Sequence, residues 1–224
     1  MAPNPAASAP IPAPEEAVRR ARALVAGGGR HVLGLVGPPG TGKSTLAAAL
    51  CAALPGLAQV LPMDGFHLAN TQLARLGRRQ RKGAPDTFDA AGFAALILRV
   101  RAQSRNSEET IYAPSYERSI EEPIANAIAI VPGVPLVVVE GNYLLLDQGP
   151  WRAVAALLDQ TWYIDTDDTL RRQRLQARHE QFGRTPAEAR TWIEQTDEPN
   201  ARLIAQGRAR VDWCVDWGSA GVHP

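Results

Sequence analysis

The sequence predicts an α/β fold in which a parallel sheet lies between layers of helices. Three observations predict it. Short apolar runs alternate with longer segments of helical period along the chain. The clearest run, Leu136-Val137-Val138-Val139, is apolar throughout, as a strand covered on both faces must be. Gly37, Asp64, Glu140 and Asp165 each directly follow a run, which places them on the one sheet edge where such folds bind ligands.

Each element has its own signal. Glu15 to Ala26 carries Val18, Ala21, Leu24 and Val25 at helical spacing and stops at Gly27-Gly28-Gly29. His31 to Val36 reads as the first strand, Ser44 to Leu54 as an Ala/Leu helix, and Ala58 to Met63 as the second strand. Thr71 to Asp86 is polar and basic without a period, and reads as a loop or mobile cap. Asp89 can cap a helix with Phe93, Leu96, Ile97 and Val100 on one face. Ile111 to Val131 contains Pro114 and Pro123 and reads as a hairpin or extended excursion. Thr161 to Ile164 is a strand and Leu170 to Glu180 an Arg-rich helix. Thr185-Pro186-Ala187-Glu188 is a capping box with proline at the first helical position, opening a helix to about Ala205. Val211 to Val215 closes the chain as a strand.

Bulk properties exclude several classes. The chain has 224 residues with 24 Lys+Arg against 23 Asp+Glu, so no global field recruits nucleic acid or an anionic membrane. No apolar run is long enough to span a bilayer. Residues 1–14 are Pro/Ala-rich, lack the basic start and apolar centre of a signal peptide, and read as a disordered tail before a single domain over 15–224. A cytoplasmic location follows as the expectation. Cys51 and Cys214 lie far apart and read as buried, reduced and inert. The only lysines are Lys43 and Lys82.

The motif with most chemistry is Gly37-Pro38-Pro39-Gly40-Thr41-Gly42-Lys43-Ser44, followed by Thr45. It fits G-x-x-x-x-G-K-[ST] between a strand and a helix, the setting of a P-loop that binds a nucleoside triphosphate. Its glycines let backbone amides turn inward around phosphate oxygens, and the helix N-terminus adds positive potential. Lys43 then reaches the β- and γ-phosphates, and Ser44 ligates Mg²⁺. Glu140 ends a hydrophobic strand, where an acid can hold Mg²⁺ directly or through water. Asp64 could accept the proton of an attacking hydroxyl or contribute a third oxygen near the metal; an Asp-Gly turn without chemistry is the equal alternative. Arg171, Arg174 and Arg178 share one helix face, which suits either a lid over phosphates or a solvated basic face. Arg78, Arg79, Arg81 and Lys82 form a basic cluster that could contact RNA, line an acceptor pocket, or be solvated.

Taken together, GPPGTGKST, PMDGFH, RKGAPDTFD, YAPSYERSIEEP, VVVEGNYLLL and RHEQFGRTPAEARTWIEQTDEPN resemble the superfamily of uridine kinase, phosphoribulokinase and P-loop pantothenate kinase, closest to its small bacterial nucleoside/nucleotide or fructokinase-like members. The resemblance implies a three-layer P-loop sandwich with a five-stranded parallel sheet in order 2-3-1-4-5 and an Arg-bearing lid helix. It implies ATP and Mg²⁺, and phosphoryl transfer to a hydroxyl of a small molecule. Asp64 looks like the catalytic carboxylate, with Phe66 and His67 near the acceptor. Lys82, Asp86 and Phe88 match a segment that closes over the acceptor, and Tyr116 and Arg118 a hairpin that reaches it. Asn142 stands beside Glu140, Asp197 and Asn200 match a later segment facing the site, and Arg171, Arg174 and Arg178 match the lid. The acceptor stays open among nucleoside, pantothenate-like and sugar compounds, with a lean to nucleosides from the aromatics. A regulatory ATPase without an acceptor is the alternative. The sequence leaves the oligomeric state open, a homodimer included.

Overall fold

The structure, a computed structural model, describes residues 11–218. Of the tail expected over 1–14, residues 1–10 lie outside the described residues, while Ile11 and Ala13 pack on the core. In chain order the elements are α1 (Glu15–Ala26), β1 (His31–Val36), α2 (Lys43–Ala53), β2 (Ala58–Pro62), α3 (Asn70–Arg75), α4 (Ala90–Ala102), β3 (Ile111–Glu117), β4 (Glu122–Ile130), β5 (Leu136–Gly141), α5 (Arg152–Ala155), β6 (Gln160–Asp165), α6 (Asp168–Gln181), α7 (Pro186–Trp192), α8 (Glu198–Ala205) and β7 (Trp213–Asp216).

Five strands form one sheet in spatial order β2-β5-β1-β6-β7, all paired in parallel. Counted among these strands alone the order is 2-3-1-4-5. Strand alternation sends successive side chains to opposite layers. Val32, Val36, Val137, Val139 and Tyr163 enter a core with Phe93, Ile97 and Val154. Leu33, Leu35, Leu136, Val138, Trp162 and Ile164 enter a second core with Ala17, Ala21, Leu46 and Leu50. Both faces of each central strand are therefore apolar, which is why the runs show no polar alternation.

The hairpin reading of residues 111–131 is realised as the antiparallel pair β3–β4, with a bulge at Pro114, which has no N–H to donate to the ladder. The carbonyl oxygen of Pro114 lies 2.2 Å from where a Cβ on Gly65 would be. Gly65 is thus required for this close approach rather than for its own turn conformation. The stretch expected as loop contains α3 and two single 3₁₀ turns, Arg79–Arg81 and Pro85–Thr87. The long helix expected from Thr185 to Ala205 is α7 and α8 joined by a π segment, Ile193–Asp197. Thr185 and Glu188 do form the capping box. Cys51 is half-buried and Cys214 exposed, correcting the expectation of burial for both. Cys214 sits on β7, the edge strand of the sheet.

No helix among the described residues is long and apolar enough to cross a membrane.

Candidate active site

The first three parallel strands in sequence deliver the site. β1, at the centre, feeds the glycine-rich loop; neighbouring β5 carries Glu140 next to its end; β2, beyond it, runs into a 3₁₀ turn, Met63–Phe66, that carries Asp64. Gly40 and Gly42 take φ values of 85° and 88°, so only glycine holds this loop without strain. A Cβ at Gly40 would lie 2.7 Å from the Arg171 carbonyl, and one at Gly42 2.7 Å from Trp217 Nε1. α2 begins at Lys43 with no side-chain cap, leaving N–H groups of its first turn unengaged by a capping side chain.

Lys43 Nζ donates to the carbonyls of Gly37 (2.8 Å) and Pro38 (3.0 Å), bridging its own loop. Thr41 Oγ1 donates to the Pro38 carbonyl at 2.9 Å. Burial lowers the Lys43 ammonium to about 8, against the opposing pull of Glu140 and Asp64. Ser44 Oγ donates to Glu140 Oε1 at 3.1 Å. Burial, with Asp64 close by, pushes the Glu140 carboxyl above the usual carboxylate range. Arg118 Nη2 donates to Asp64 Oδ2 at 3.1 Å. Burial would raise the Asp64 carboxyl, but its interactions with His67 and with the cations Arg118, Lys43 and Arg178 outweigh it and hold it low.

One cleft of about 700 Å³ joins these groups. Pro39, Gly40, Gly42, Lys43, Ser44 and Thr45 form its floor, with Asp64, Glu140 and Asn142 at the strand ends. His67, Lys82, Phe88, Tyr116 and Arg118 make one wall; Arg174, Arg178, Asp197 and Asn200 make the other. His67 stacks between Phe88 and Tyr116, with ring centroids 3.9 and 4.6 Å away. Arg174 Nη1 is buried without a hydrogen-bond partner, aimed past Gly42. The chemistry fits the groups a P-loop takes. A hydroxyl and a carboxylate are hard oxygen donors suited to Mg²⁺, and uncapped amides with an orphaned guanidinium suit phosphate oxygens.

Six expected site residues do not line the cleft, three of them outside the glycine-rich loop. Arg171, grouped with Arg174 and Arg178 by spacing, turns inward: its side chain is 2% exposed and bonds Asp168 (2.9 Å) and Glu198 (2.5 Å). Its Nη1 also points at the Pro39 carbonyl, 3.5 Å away, so it ties α6 to α8 and to the glycine-rich loop. Asp86 is held by Arg78 and Arg81 at 3.3 and 2.7 Å. Phe66 packs on Phe93, centroids 4.9 Å apart, in the core beneath. Gly37, Pro38 and Thr41 shape the loop from behind. Other cleft residues had no sequence signal. Arg184 stacks on Trp192 at 3.8 Å, an approach across the lid that no periodicity encodes. Asn70, Glu121 and Phe182 likewise arrive by tertiary folding.

The Arg171 arrangement has a stability consequence. Arg171→Ala would leave the partly buried Glu198, 13% exposed, with only the exposed Arg172 at 3.0 Å as its partner. We expect a loss of about 3 kcal/mol, within the range for breaking a buried pair, measured by urea denaturation.

Fold and site together define a P-loop protein of the kinase type. A family model described as an AAA domain matches residues 32–199. The ATP-dependent kinase-like protein notR' of Aspergillus versicolor is 38% identical over 159 residues, spanning 68% of this chain and 92% of that protein. A Schizosaccharomyces pombe protein provisionally named a uridine kinase, C227.14, is 34% identical over 192 residues, 82% of this chain and 80% of that one. The crystal structure of a Silicibacter sp. TM1040 protein, provisionally named a fructose transport system kinase, superposes with a TM-score of 0.78 at 34% identity, covering 88% of this chain and 98% of that one. The chain belongs to this family of P-loop kinases.

Proposed function

We propose that the protein transfers the γ-phosphoryl group of ATP to a hydroxyl of a small ring-bearing or polyol molecule, nucleosides being the leading class. The observation that carries this reading is the shared cleft, in which Asp64 faces the same space as Lys43, Ser44, Glu140, Arg174 and Arg178. A nucleotide switch needs the phosphate-binding half alone. Here the cleft extends into a second half, walled by the His67–Phe88–Tyr116 stack, with room for an acceptor.

The residues divide the work. The loop amides and Lys43 hold the β- and γ-phosphates. Arg174 and Arg178, from the lid helix α6, neutralise charge on the transferring group. Asp64 is ionised and receives a hydrogen bond from Arg118, which orients the carboxylate toward the acceptor. As the acceptor oxygen bonds to the γ-phosphorus, the bond from phosphorus to the β,γ-bridging oxygen breaks and ADP leaves with that electron pair. The hydroxyl proton passes to Asp64 and then to water. A carboxylate of low proton affinity suits a loose transition state, in which the hydroxyl loses its proton late. Mg²⁺, held by Ser44 and Glu140 with Asp64 nearby, would supply neutralisation of the phosphate oxygens when bound.

The test is ATP consumption measured against nucleosides, sugars and pantothenate, each with and without Mg²⁺. The reading expects Mg²⁺-dependent ADP release stimulated by at least one small hydroxyl compound, with a phosphate ester formed in equal amount. ATP consumption that no such compound stimulates would replace it with a regulatory ATPase.

A further inference from the structure

The basic cluster Arg78–Lys82 has two fates. Arg78 and Arg81 share the single Asp86 carboxylate, at 3.3 and 2.7 Å. Arg79 and Lys82 instead line the cleft, on the wall that carries the aromatic stack. Neither has a carboxylate within ion-pair distance among the described residues. Lys82 Nζ donates to Asn70 Oδ1 at 2.8 Å and to the Glu121 carbonyl, both neutral acceptors. It also lies 5.3 Å from the Tyr116 ring centroid. The Glu122 carboxylate accepts from the Asn70 backbone N–H at 3.1 and 3.0 Å, which holds it outside ion-pair distance of Lys82, on which it acts only through space. Apart from Asp64, Glu121 is the only carboxylate on this wall.

The imbalance extends through the cleft. Seven Lys and Arg line it against four Asp and Glu. The whole chain has 24 against 23. At the phosphate end Lys43, Arg174 and Arg178 already face the nucleotide, and Arg118 is paired with Asp64. Arg184 stacks on Trp192 between α6 and α7, which leaves Arg79 and Lys82 at the acceptor end. A half-buried ammonium whose hydrogen bonds go to neutral acceptors, with Glu121 and Glu122 beyond ion-pair distance, gains from a ligand that brings negative charge into direct contact.

Position gives this pair its use. His67 contacts both Phe88 and Tyr116, and its Nδ1 lies 2.7 Å from the Asp64 carbonyl. Tyr116 contacts Lys82. The base and the cationic pair thus sit on one packed unit, with the acceptor space between them. We propose that the acceptor carries an anionic group, a phosphate monoester or a carboxylate, seated on Lys82 and Arg79 while its reacting hydroxyl lies at Asp64. This rests on the kinase reading above and narrows it from small hydroxyl compounds in general to anionic ones, a nucleoside acceptor then being a nucleotide.

The experiment uses pairs in which an anionic group esterifies or replaces one hydroxyl and leaves others free to react: uridine and uridine monophosphate, fructose and fructose 1-phosphate, glycerol and glycerate, panthenol and pantothenate. The proposal expects the anionic member of at least one pair to be used with kcat/KM roughly tenfold or more above its neutral partner. The first two pairs report phosphate and the last two carboxylate. Arg79→Gln with Lys82→Met should collapse that ratio toward one, chiefly through KM, while Lys82→Arg should retain it. Neutral members used as well as anionic ones would overturn the proposal and leave the kinase reading intact.

A second measurement works even if no compound in the panel is turned over. Inorganic phosphate is titrated by calorimetry into the full-length protein saturated with a non-hydrolysable ATP analogue. The wild type should bind it, and the double variant should lose that binding while still binding the analogue. A wild type that binds no phosphate beside the analogue, or a double variant that binds it unchanged, overturns the anionic subsite.

Discussion

Asp64→Asn should lower kcat by about 10²–10⁴-fold, the usual contribution of a positioned acid or base, while ATP-analogue affinity stays within a few-fold. Asn keeps the shape and can still accept from Arg118, which donates to Asp64 Oδ2 at 3.1 Å in the native site. What it removes is the charge that takes the hydroxyl proton. Asp64 also lies off the glycine-rich loop, on the turn after β2. Chemistry and nucleotide binding should therefore separate. The check is steady-state ADP release alongside direct titration of the analogue. Turnover within tenfold of wild type would take Asp64 out of the role given to it here and leave the Asp-Gly turn as its only function.

Lys43→Met should produce a loss of similar size with a different signature. Removing one preorganised donor from a phosphoryl-transfer site costs about 10²–10³ in kcat. Lys43 is also one of the positive groups offsetting Glu140 and Asp64 across the cleft. Without it those carboxylates face the triphosphate with less compensation, so ATP affinity should fall together with kcat. Methionine nearly fills the same volume, but it cannot donate to the Gly37 and Pro38 carbonyls, which Lys43 Nζ holds at 2.8 and 3.0 Å. The loop then loses its internal bridge, and thermal denaturation of the variant separates that effect from loss of charge. A variant that binds ATP normally would show that the lysine bridges the loop only.

Particular residues show how far the chain can be read without its structure. The glycine-rich loop is legible because everything it needs is local: a strand before it, a helix after it, and glycines at the two left-handed positions between. Glu140 and Asp64 are legible because a parallel sheet puts every strand end on one edge. Arg171 and Arg174 are not separable in this way. They are three residues apart on one helix face, and the difference between a buried strut and a cleft-facing donor comes from Glu198, a partner 27 positions on in sequence. The cluster at residues 78–82 is divided just as remotely from its own pattern, since Asp86 pairs with two of its members and leaves two for the cleft. Gly65 makes the same point. Its sequence context suggests a turn, whereas its real constraint is the Pro114 carbonyl approaching from the hairpin.

The sequence by itself therefore determined the sheet, the position of the phosphate-binding loop and the edge on which the acids gather. Those follow from period, from chain direction and from backbone conformations that only glycine adopts without strain. The tertiary structure decided which arginines face the cleft, which aromatic residues line it and which of its cations have no ion-pair partner. Each of those outcomes depends on which distant group arrives within hydrogen-bonding or packing distance, and residue spacing along one element carries no record of the neighbour it will meet.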